Sequence, residues 1–530
     1  MKSVMKPSEQ FSRIARPKVQ RSTFDRSRGY KTTFDAGKLI PFFVDEALPG
    51  DDIVINPTIF ARLNTPIKPL MDNIFLDVHF FACPIRLVWD NFVKMMGEQD
   101  DPSDSTDFIH PTITAPTGGF AESSIYDYLG IPTKVENLEI RADFNRAINL
   151  IYNQWFRDEN LQDSVTVTKG DGPDSPSLYT VLPRGKRKDY LTSCLPFAQK
   201  ADAVTLSLGD VAPVLGIGKL NQNFDSGSKS VYESGGTGAT TYSSWKQISN
   251  AGADNEYFVE SNGSGFPDIR ADLTAATAIT INDLREASQM QYLFEVDARG
   301  GTRYIEHNLA HFGVVSPDSR LQRPEYIGGF TTRVNVSPIA QNSASESGNT
   351  PQGNLSAIGT ASHSGTRIRK SFTEHEVLLG FISARADLNY QQGLDRMWSR
   401  STRFDHYFPA FAHLGEQAVL NKEIYAQGTS VDDDVFGYNE RWSEYRYAQS
   451  KVTGLFRSNA TASLDVWHLS QEFGSLPTLN STFIEENPPL DRVVAVPAEP
   501  HFMMDSYIQV HHTRPMPVFS TPGSFLTGRF

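Results

Sequence analysis

The 530-residue sequence has very few cysteines and no long apolar run. Its two cysteines, Cys83 and Cys194, cannot supply the disulfide framework that stabilises many secreted proteins. The opening residues, MKSVMKPSEQ, lack the apolar core of a signal peptide, and no stretch of 18 apolar residues occurs in the sequence. We therefore expect a chain that folds in a reducing cytoplasm and does not insert into a membrane.

The sequence also lacks the familiar motifs of enzymes and of cofactor and metal sites. It contains no G-x-x-x-x-G-K-[ST] and no G-x-S-x-G, and the start of a dinucleotide fingerprint at Gly216 and Gly218 fails because position 221 is Asn. The acidic run at 432–434 begins like a calcium loop, but Ser443 stands where the bidentate glutamate belongs. We predict a protein that is not an enzyme and has no cofactor and no metal site.

The charges that are present are distributed unevenly. Residues 1–31 carry a net charge of +7, whereas the rest of the chain carries −20. Apolar residues make up 39% of the sequence and aromatic residues 11%, enough to form a large core. An acidic body with a basic arm is typical of a protein that contacts a polyanion on one side.

Residue periodicity predicts a β framework with inserted helices. Alternating apolar residues predict strands in the run that starts at Ile74 and at 462–469 and 505–510. Apolar residues at helical spacing predict helices at 140–157, 281–296 and 414–426. Helices scattered between distant strands favour one β domain with long insertions over alternating βαβ units.

Two segments are rich in small polar residues. Of the 29 residues at 337–365, 16 are Gly, Ser, Thr or Asn, which predicts an exposed loop. The segment 221–265 has 24 such residues in 45 but keeps six aromatic residues. Because a flexible linker would rarely keep so many aromatic residues, we expect an ordered excursion on the surface.

Several long blocks of the sequence carry a resemblance to a known family. They include MDNIFLDVHFFACPIRLVWDNFVKMMGEQ at 71–99 and SFTEHEVLLGFISARADLNYQQGLDRMWSR at 371–400. Further blocks lie at 11–51, 151–164, 296–306, 316–329, 351–360, 413–425 and 513–523. In this order they resemble the major capsid protein of gokushoviruses, small icosahedral single-stranded-DNA phages of the microvirus family. The resemblance is interrupted mainly at 221–280.

The resemblance implies an eight-stranded antiparallel jelly roll with long inserted loops and a few helices. It implies a basic N-terminal arm at 1–36, a single capsid domain at 37–530, and a variable insertion at 221–280 that forms a protrusion at the threefold axes. Sixty copies would form a T=1 shell around a circular single-stranded DNA genome, assembled from pentameric precursors in the bacterial cytoplasm. The expected location is the virion.

The arm and the insertion supply the candidate site residues. We expect the arm to lie inside the shell and to touch packaged DNA through Arg13, Arg16, Lys18, Arg21, Arg26, Arg28, Lys31, Phe24 and Tyr30. The alternative is that its charges pair with the acidic body of a neighbouring subunit. Sixty arms carry far fewer charges than the phosphates of such a genome, so a small basic DNA-packaging protein is a further expected partner.

For the insertion, the hypothesis is attachment to a host cell-surface receptor. The aromatic candidates are Tyr242, Trp245, Tyr257 and Phe258. The alternative is that these side chains only pack a trimeric stalk together. A different class of protein, a secreted-type jelly-roll carbohydrate-binding protein or glycosidase, would have a signal peptide and paired acids in an aromatic cleft, and it would lack the basic arm. A free single-strand-binding protein is at odds with the −20 body.

Overall fold

A computed structural model describes residues 20–202, 204, 281–301, 303–313, 322–343 and 352–519, together with the backbone of short strands between Val214 and Ala271. The chain divides into two compact units, one formed by Met1–Ala198 and Asp297–Phe530 and the other by Gln199–Val296. Among the described residues, no helix is long and apolar enough to cross a membrane.

The structure is mainly β. The first strands are β1 (Ser22–Asp25), β2 (Arg28–Phe34), β3 (Ile40–Ala47), β4 (Asp52–Leu63), β5 (Ile74–Pro84), β6 (Thr112–Thr114) and β7 (Glu139–Arg141). The short strands that follow are β8 (Val214–Leu215), β9 (Ile217–Lys219), β10 (Gln222–Asp225), β11 (Lys229–Tyr232), β12 (Ala239–Tyr242), β13 (Trp245–Ile248), β14 (Tyr257–Val259) and β15 (Arg270–Ala271). The last are β16 (Glu325–Ala340), β17 (Leu355–His363), β18 (Ile368–Ser371), β19 (Glu376–Ala386), β20 (Glu416–Leu420), β21 (Val435–Glu440) and β22 (Phe502–Arg514).

Of the helices in the described ranges, one is long and the others are short. They are α1 (Phe92–Met95), α2 (Ile125–Tyr128), α3 (Asp143–Ile151), α4 (Ile281–Arg299), α5 (Tyr304–Phe312) and α6 (Ser481–Ile484). The predictions of helices at 140–157 and 281–296 are confirmed: α3 continues as a π-helical turn to Phe156, and α4 ends just before Gly301, whose φ of 94° is left-handed.

Ten strands of the first unit form one antiparallel sheet that doubles back on itself. Its order is β1-β22-β4-β17-β16-β5-β19-β3, with β2 also paired to β22 and β18 to β4. The bend is at β16, because Glu325–Val334 pairs with β5 whereas Asn335–Ala340 pairs with β17. We call the part with β1, β2, β22, β4, β17 and β18 the β22 half, and the part with β5, β19 and β3 the β19 half.

Along the chain, strands alternate between the two halves. β2 and β4 lie in the β22 half, β3 and β5 in the β19 half, and β22 returns to lie between β2 and β4. This is the connectivity of interleaved Greek keys, consistent with the jelly roll expected from the sequence. The strands predicted from Ile74 and at 505–510 are confirmed as β5 and β22.

The main core lies between the two halves. Alternate side chains of β4 and β22, such as Ile55 and Ile508, point inward and are about 1% exposed. They belong to one apolar cluster with Val78 of β5 and Ile382 of β19. Burial of this apolar area, at roughly 25 cal/mol per Å², is the main contribution to the stability of the sheet.

A second layer covers the outer face of the β19 half. Every residue of β19 is buried, because Phe381 on that face packs in a second cluster with Trp89 and with Ile148 of α3. The β22 half differs. Burial in β22 alternates strictly from Phe502 to His512, so all of its side chains on the outer face are exposed.

Three sequence-based predictions are wrong. The segment 414–426 forms β20 and a 3₁₀ turn at Asn421–Glu423 instead of a helix. β20 pairs with β21, and its alternate residues Gln417 and Val419 are buried, whereas Leu414 is exposed. The apolar residues of this segment therefore follow the two-residue period of a strand and do not share a helical face.

The segment 462–469 is irregular and makes a 3₁₀ turn at Asp465–Trp467 instead of a strand. The amide of Leu464 donates to the carbonyl of Leu455 and that of Trp467 to the carbonyl of Leu464, and none of these residues is in a strand. The segment 337–365 is not only a loop, because it contains β17. A Cβ added to Gly359 of β17 would lie 2.8 Å from Cβ of Leu63, so the small residues there allow close packing on β4.

Candidate interface at the N-terminal strands

The predicted DNA-contacting residues divide between described and undescribed parts of the chain. Arg13, Arg16 and Lys18 lie outside the described residues. The others, from Arg21 to Lys31, lie on or beside β1 and β2, which pair with β22. The C-terminal part of the predicted arm is therefore built into the edge of the β22 half, because its alternating residues extend the ladder of β22.

Two of these cations, Arg21 and Lys31, make only surface contacts. The Arg21 guanidinium donates a hydrogen bond to the backbone carbonyl of Gly50 and is exposed. The ammonium of Lys31 lies 2.6 Å from the carboxylate of Asp505, and both side chains are more than half exposed. An ion pair this exposed contributes at most modestly to stability, so Lys31 can exchange its partner for a phosphate at little cost.

Arg26 and Arg28 form ion pairs with a buried acid. Their guanidinium groups lie 2.8 and 3.1 Å from the two carboxylate oxygens of Asp45, a side chain only 1% exposed. Arg28 also stacks on the ring of Phe43, with 4.6 Å between its Cζ and the ring centroid. The structure thus places these two arginines in contacts within the chain that fix β2 to β3.

The aromatic candidates of the arm face inward. The ring of Tyr30 packs edge-on against Phe42 in the main core, and its hydroxyl donates a hydrogen bond of 2.9 Å to the carbonyl of Tyr128. Burial raises the pKa of the Tyr30 hydroxyl. Phe24 is half-buried and lies opposite His512 across the β1–β22 pair.

A buried charge cluster lies beneath these strands. It consists of Asp45, Asp51, His512 and Arg514 together with the two arginines that bind Asp45. His512 is fully buried, with Nε2 3.5 Å from Asp45 Oδ2 and Nδ1 4.0 Å from Asp51 Oδ2, and Arg514 donates a 2.9 Å hydrogen bond to Asp51. Burial lowers the pKa of His512 to about 4, more than the two carboxylates raise it.

This cluster predicts a loss of stability in acid. Because the pKa of His512 is about 4 in the fold and about 6.5 when unfolded, the unfolded chain binds more protons between these values. The contribution of His512 to the free energy of unfolding is therefore fully present above pH 6.5 and is lost as the pH falls towards 4. In His512→Gln, the slope of the unfolding free energy against pH should fall by up to about 1.4 kcal/mol per pH unit in that window.

Urea unfolding of the unassembled subunit between pH 4 and 7 measures this slope. His79, whose pKa burial also lowers to about 4, will keep part of the pH dependence in the variant. The same substitution at the exposed His413 is the matched control. An unchanged slope in His512→Gln would show that this histidine is not the acid-sensitive group.

A different surface lies on the long connection between β19 and β22, residues 387–501. It exposes large apolar side chains: Leu394, Met397, Trp398, Phe404, Tyr407, Leu414, Tyr445 and Leu455. Trp398 and Phe404 are 70% and 66% exposed. Sequence reasoning did not single out these residues, although the aromatic content of an otherwise polar connection is a signal for an interaction surface.

The candidates of the insertion lie on short paired strands in the second unit. Tyr242 stands opposite Lys229 in the β11–β12 pair, and Trp245 opposite Asp225 in the β10–β13 pair. Tyr257 and Phe258 lie on β14, which pairs with β9. Their side chains are outside the described part of the structure.

Neither a metal centre nor reactive cysteines are evident in the part of the chain that the structure describes. Within it, no three His, Cys, Asp or Glu side chains are grouped so that they could hold an ion. Cys83 and Cys194 are both buried and unpaired, and burial raises the pKa of each thiol. Such thiols are poor nucleophiles, since the thiolate is the reactive form.

A doubled antiparallel sheet with a basic N-terminal segment and an exposed apolar connection is typical of a structural β protein with surfaces for other macromolecules. Comparison with known proteins specifies the family. The family of the capsid protein (F protein) matches residues 12–524, and the chain belongs to it. The protein is a major capsid protein of a phage, and its place is in the virion.

Three relatives are similar over almost their full length. The chain is 49% identical to the capsid protein VP1 of Bdellovibrio phage phiMH2K and 44% identical to that of Chlamydia phage 1, in each case over 98% of both chains. It is 35% identical to the capsid protein VP1 of Spiroplasma virus 4, over 92% of this chain and 93% of the relative. The gokushovirus resemblance inferred from the sequence blocks is confirmed.

Proposed function

We propose that sixty copies of this chain form a T=1 icosahedral shell around a circular single-stranded DNA genome, from pentameric precursors assembled in the host cytoplasm. The observation that carries this proposal is membership of the capsid family together with the exposed apolar connection at 387–501. In a closed shell each such surface is covered by a neighbouring subunit. The individual contacts can be weak, because closure of the shell makes them act together. Expression of the chain followed by sedimentation and negative-stain microscopy tests whether uniform icosahedral particles form.

For the arm, we propose that it lies on the inner surface and contacts the genome. Arg13, Arg16, Lys18, Arg21 and Lys31 are the cations that supply phosphate contacts in this proposal, whereas Arg26 and Arg28 are engaged by Asp45. Because Lys and Arg bind phosphate independently of sequence, the contact needs no specific DNA site. A small basic packaging protein would neutralise the remaining phosphates.

Neutralising the distal cations of the arm is expected to lower the DNA content of the particles. In a variant with Arg13, Arg16, Lys18 and Arg21 changed to Gln, four cations per subunit are lost. The 260/280 nm absorbance ratio of purified particles measures DNA content, and changing the exposed Lys134, Arg285, Arg367 and Arg446 to Gln gives a control of equal charge. Equal DNA content in both variants would favour the alternative, in which the arm pairs with a neighbouring acidic body.

For 221–280, we propose a variable protrusion at the threefold axes that contributes to host attachment. The segment supplies paired short strands and the four aromatic residues Tyr242, Trp245, Tyr257 and Phe258. Replacing 221–280 by the corresponding segment of a relative should move the host range to that of the donor. If the recipient keeps its own host range with intact particles, the segment is not the attachment site.

A further inference from the structure

The two halves of the sheet differ in what covers their outer faces. The β19 half is covered by the cluster that contains Trp89 and α3. The β22 half leaves its outer face open: the outward side chains of β2, of β4 from Asn56 to Arg62, and of β22 from Met503 to His511 are exposed or half-exposed. An open face of this extent with large apolar residues marks a binding surface.

The composition of this face is unlike that of the acidic body. Its outward side chains are Lys31 and Thr33 from β2, Asn56, Thr58, Phe60 and Arg62 from β4, and Met503, Asp505, Tyr507, Gln509 and His511 from β22. Asp505 is the one carboxylate among these side chains, and it is already paired with Lys31 at 2.6 Å. Two further carboxylates adjoin it: Asp52 of β4 is bound by Arg369, and Asp25 of β1 lies opposite His511. With the cations of Lys31, Arg62 and Arg369 against these three carboxylates, the face carries no excess of negative charge, although the chain has 62 acidic residues.

Two rings stand out from the face. Phe60 and Tyr507 are 51% and 50% exposed. Phe60 lies opposite Asp505 in the β4–β22 pair, so Tyr507, two residues further on, is its diagonal neighbour, at roughly 7–8 Å. Gly29 stands opposite Tyr507 on β2 and has no side chain to cover the ring, and a Cβ placed there would meet only one atom, at 3.8 Å.

Cations flank the rings. Arg62 lies two residues from Phe60 on β4 and opposite Met503 on β22, and Lys31 lies opposite Asp505 on the other side. Adjacent exposed rings with a cation on either side form an arrangement that stacks unpaired bases while it holds their phosphates.

We propose that this face, with Phe60 and Tyr507 as its stacking rings, binds unpaired bases of single-stranded DNA. That this single-stranded DNA is the packaged genome rests on the proposed function. The basic segment that precedes Gln20 is contiguous in sequence with β1, which pairs with β22 in this same half. Duplex DNA does not fit, because its bases offer no free ring faces.

Base-dependent binding tests the proposal directly. The full-length chain, held dilute enough to remain unassembled, is titrated against fluorescent dT20 and against an abasic 20-mer with the same number of phosphates. Phe60→Leu and Tyr507→Leu should each weaken dT20 binding by about fivefold or more and leave abasic binding unchanged. Tyr507→Phe keeps the ring and should bind dT20 like the unmodified chain.

Tyr292→Leu is the matched control, since Tyr292 is 64% exposed and lies on α4. Equal loss for dT20 and the abasic strand, or no loss at all, would overturn the proposal. So would protection of Met503 from oxidation in shells formed without DNA, because that would show a second copy of the chain covering the face. Sedimentation of the same samples reports shell formation separately, so failure of base-dependent binding is distinguishable from failure of the proposed shell.

Discussion

Changing Trp398 and Phe404 together to serine is expected to abolish shell formation while the subunit stays folded. Both side chains lie on the connection 387–501, far more exposed than aromatic residues usually are in a monomer. Large exposed aromatic residues carry a disproportionate share of interface energy, often above 2 kcal/mol each. Because every subunit repeats the loss, a modest loss per contact is multiplied across the shell.

Sedimentation of the variant should show only subunits and small oligomers. Thermal unfolding of the unassembled subunit should be unchanged, since neither ring belongs to an apolar core cluster. The double substitution Trp398→Tyr and Phe404→Tyr keeps large rings and serves as the control that retains assembly. Full particles from the serine variant would show that this surface is not a subunit contact.

Loss of the carboxylate of Asp174 is expected to destabilise the subunit by about 3–5 kcal/mol. Arg146 of α3 is fully buried, and two of its nitrogens lie 2.7 Å from the two oxygens of Asp174. Tyr179 and Thr168 donate further hydrogen bonds to Asp174, at 2.6 and 2.9 Å. In Asp174→Ala the guanidinium would remain buried with no countercharge, which is the costly case for a buried ion pair.

Urea unfolding of the unassembled subunit measures this effect. Glu122→Ala is the matched control, because Glu122 forms an ion pair with Lys134 in which both side chains are about two-thirds exposed. The control should change the unfolding midpoint little, since exposed pairs contribute little. Comparable midpoints for the two variants would show that the Arg146–Asp174 pair does not hold α3 in place.

The strands whose residues alternate against one core were predictable from the sequence. β22 follows that pattern closely, and α3 shows a clear apolar stripe. β5 was predictable instead as a continuous apolar run, since both of its faces are buried. β17 was not predictable, because its small residues are selected by the close approach of Leu63, a neighbour nearly 300 residues away in sequence. Contacts at such separation leave no local pattern in the sequence.

The candidate interface was predictable only in part. Net charge located a basic arm, but it could not distinguish Arg21, which stays exposed, from Arg26 and Arg28, which bind the buried Asp45. Phe60 and Tyr507 lie more than 400 residues apart in sequence and become neighbours only through the β4–β22 register. The pairing of distant strands, which the sequence does not display, brings these rings together.

The mass of the assembled particle tests the central claim most directly. Charge-detection mass spectrometry of particles purified without DNA should give about 3.5 MDa, the mass of sixty chains of 59.0 kDa in a closed icosahedral shell. Particles that carry the genome should be heavier by the mass of one DNA molecule. A mass that corresponds to another number of copies, or a chain that remains a monomer or pentamer under all assembly conditions, would contradict the account.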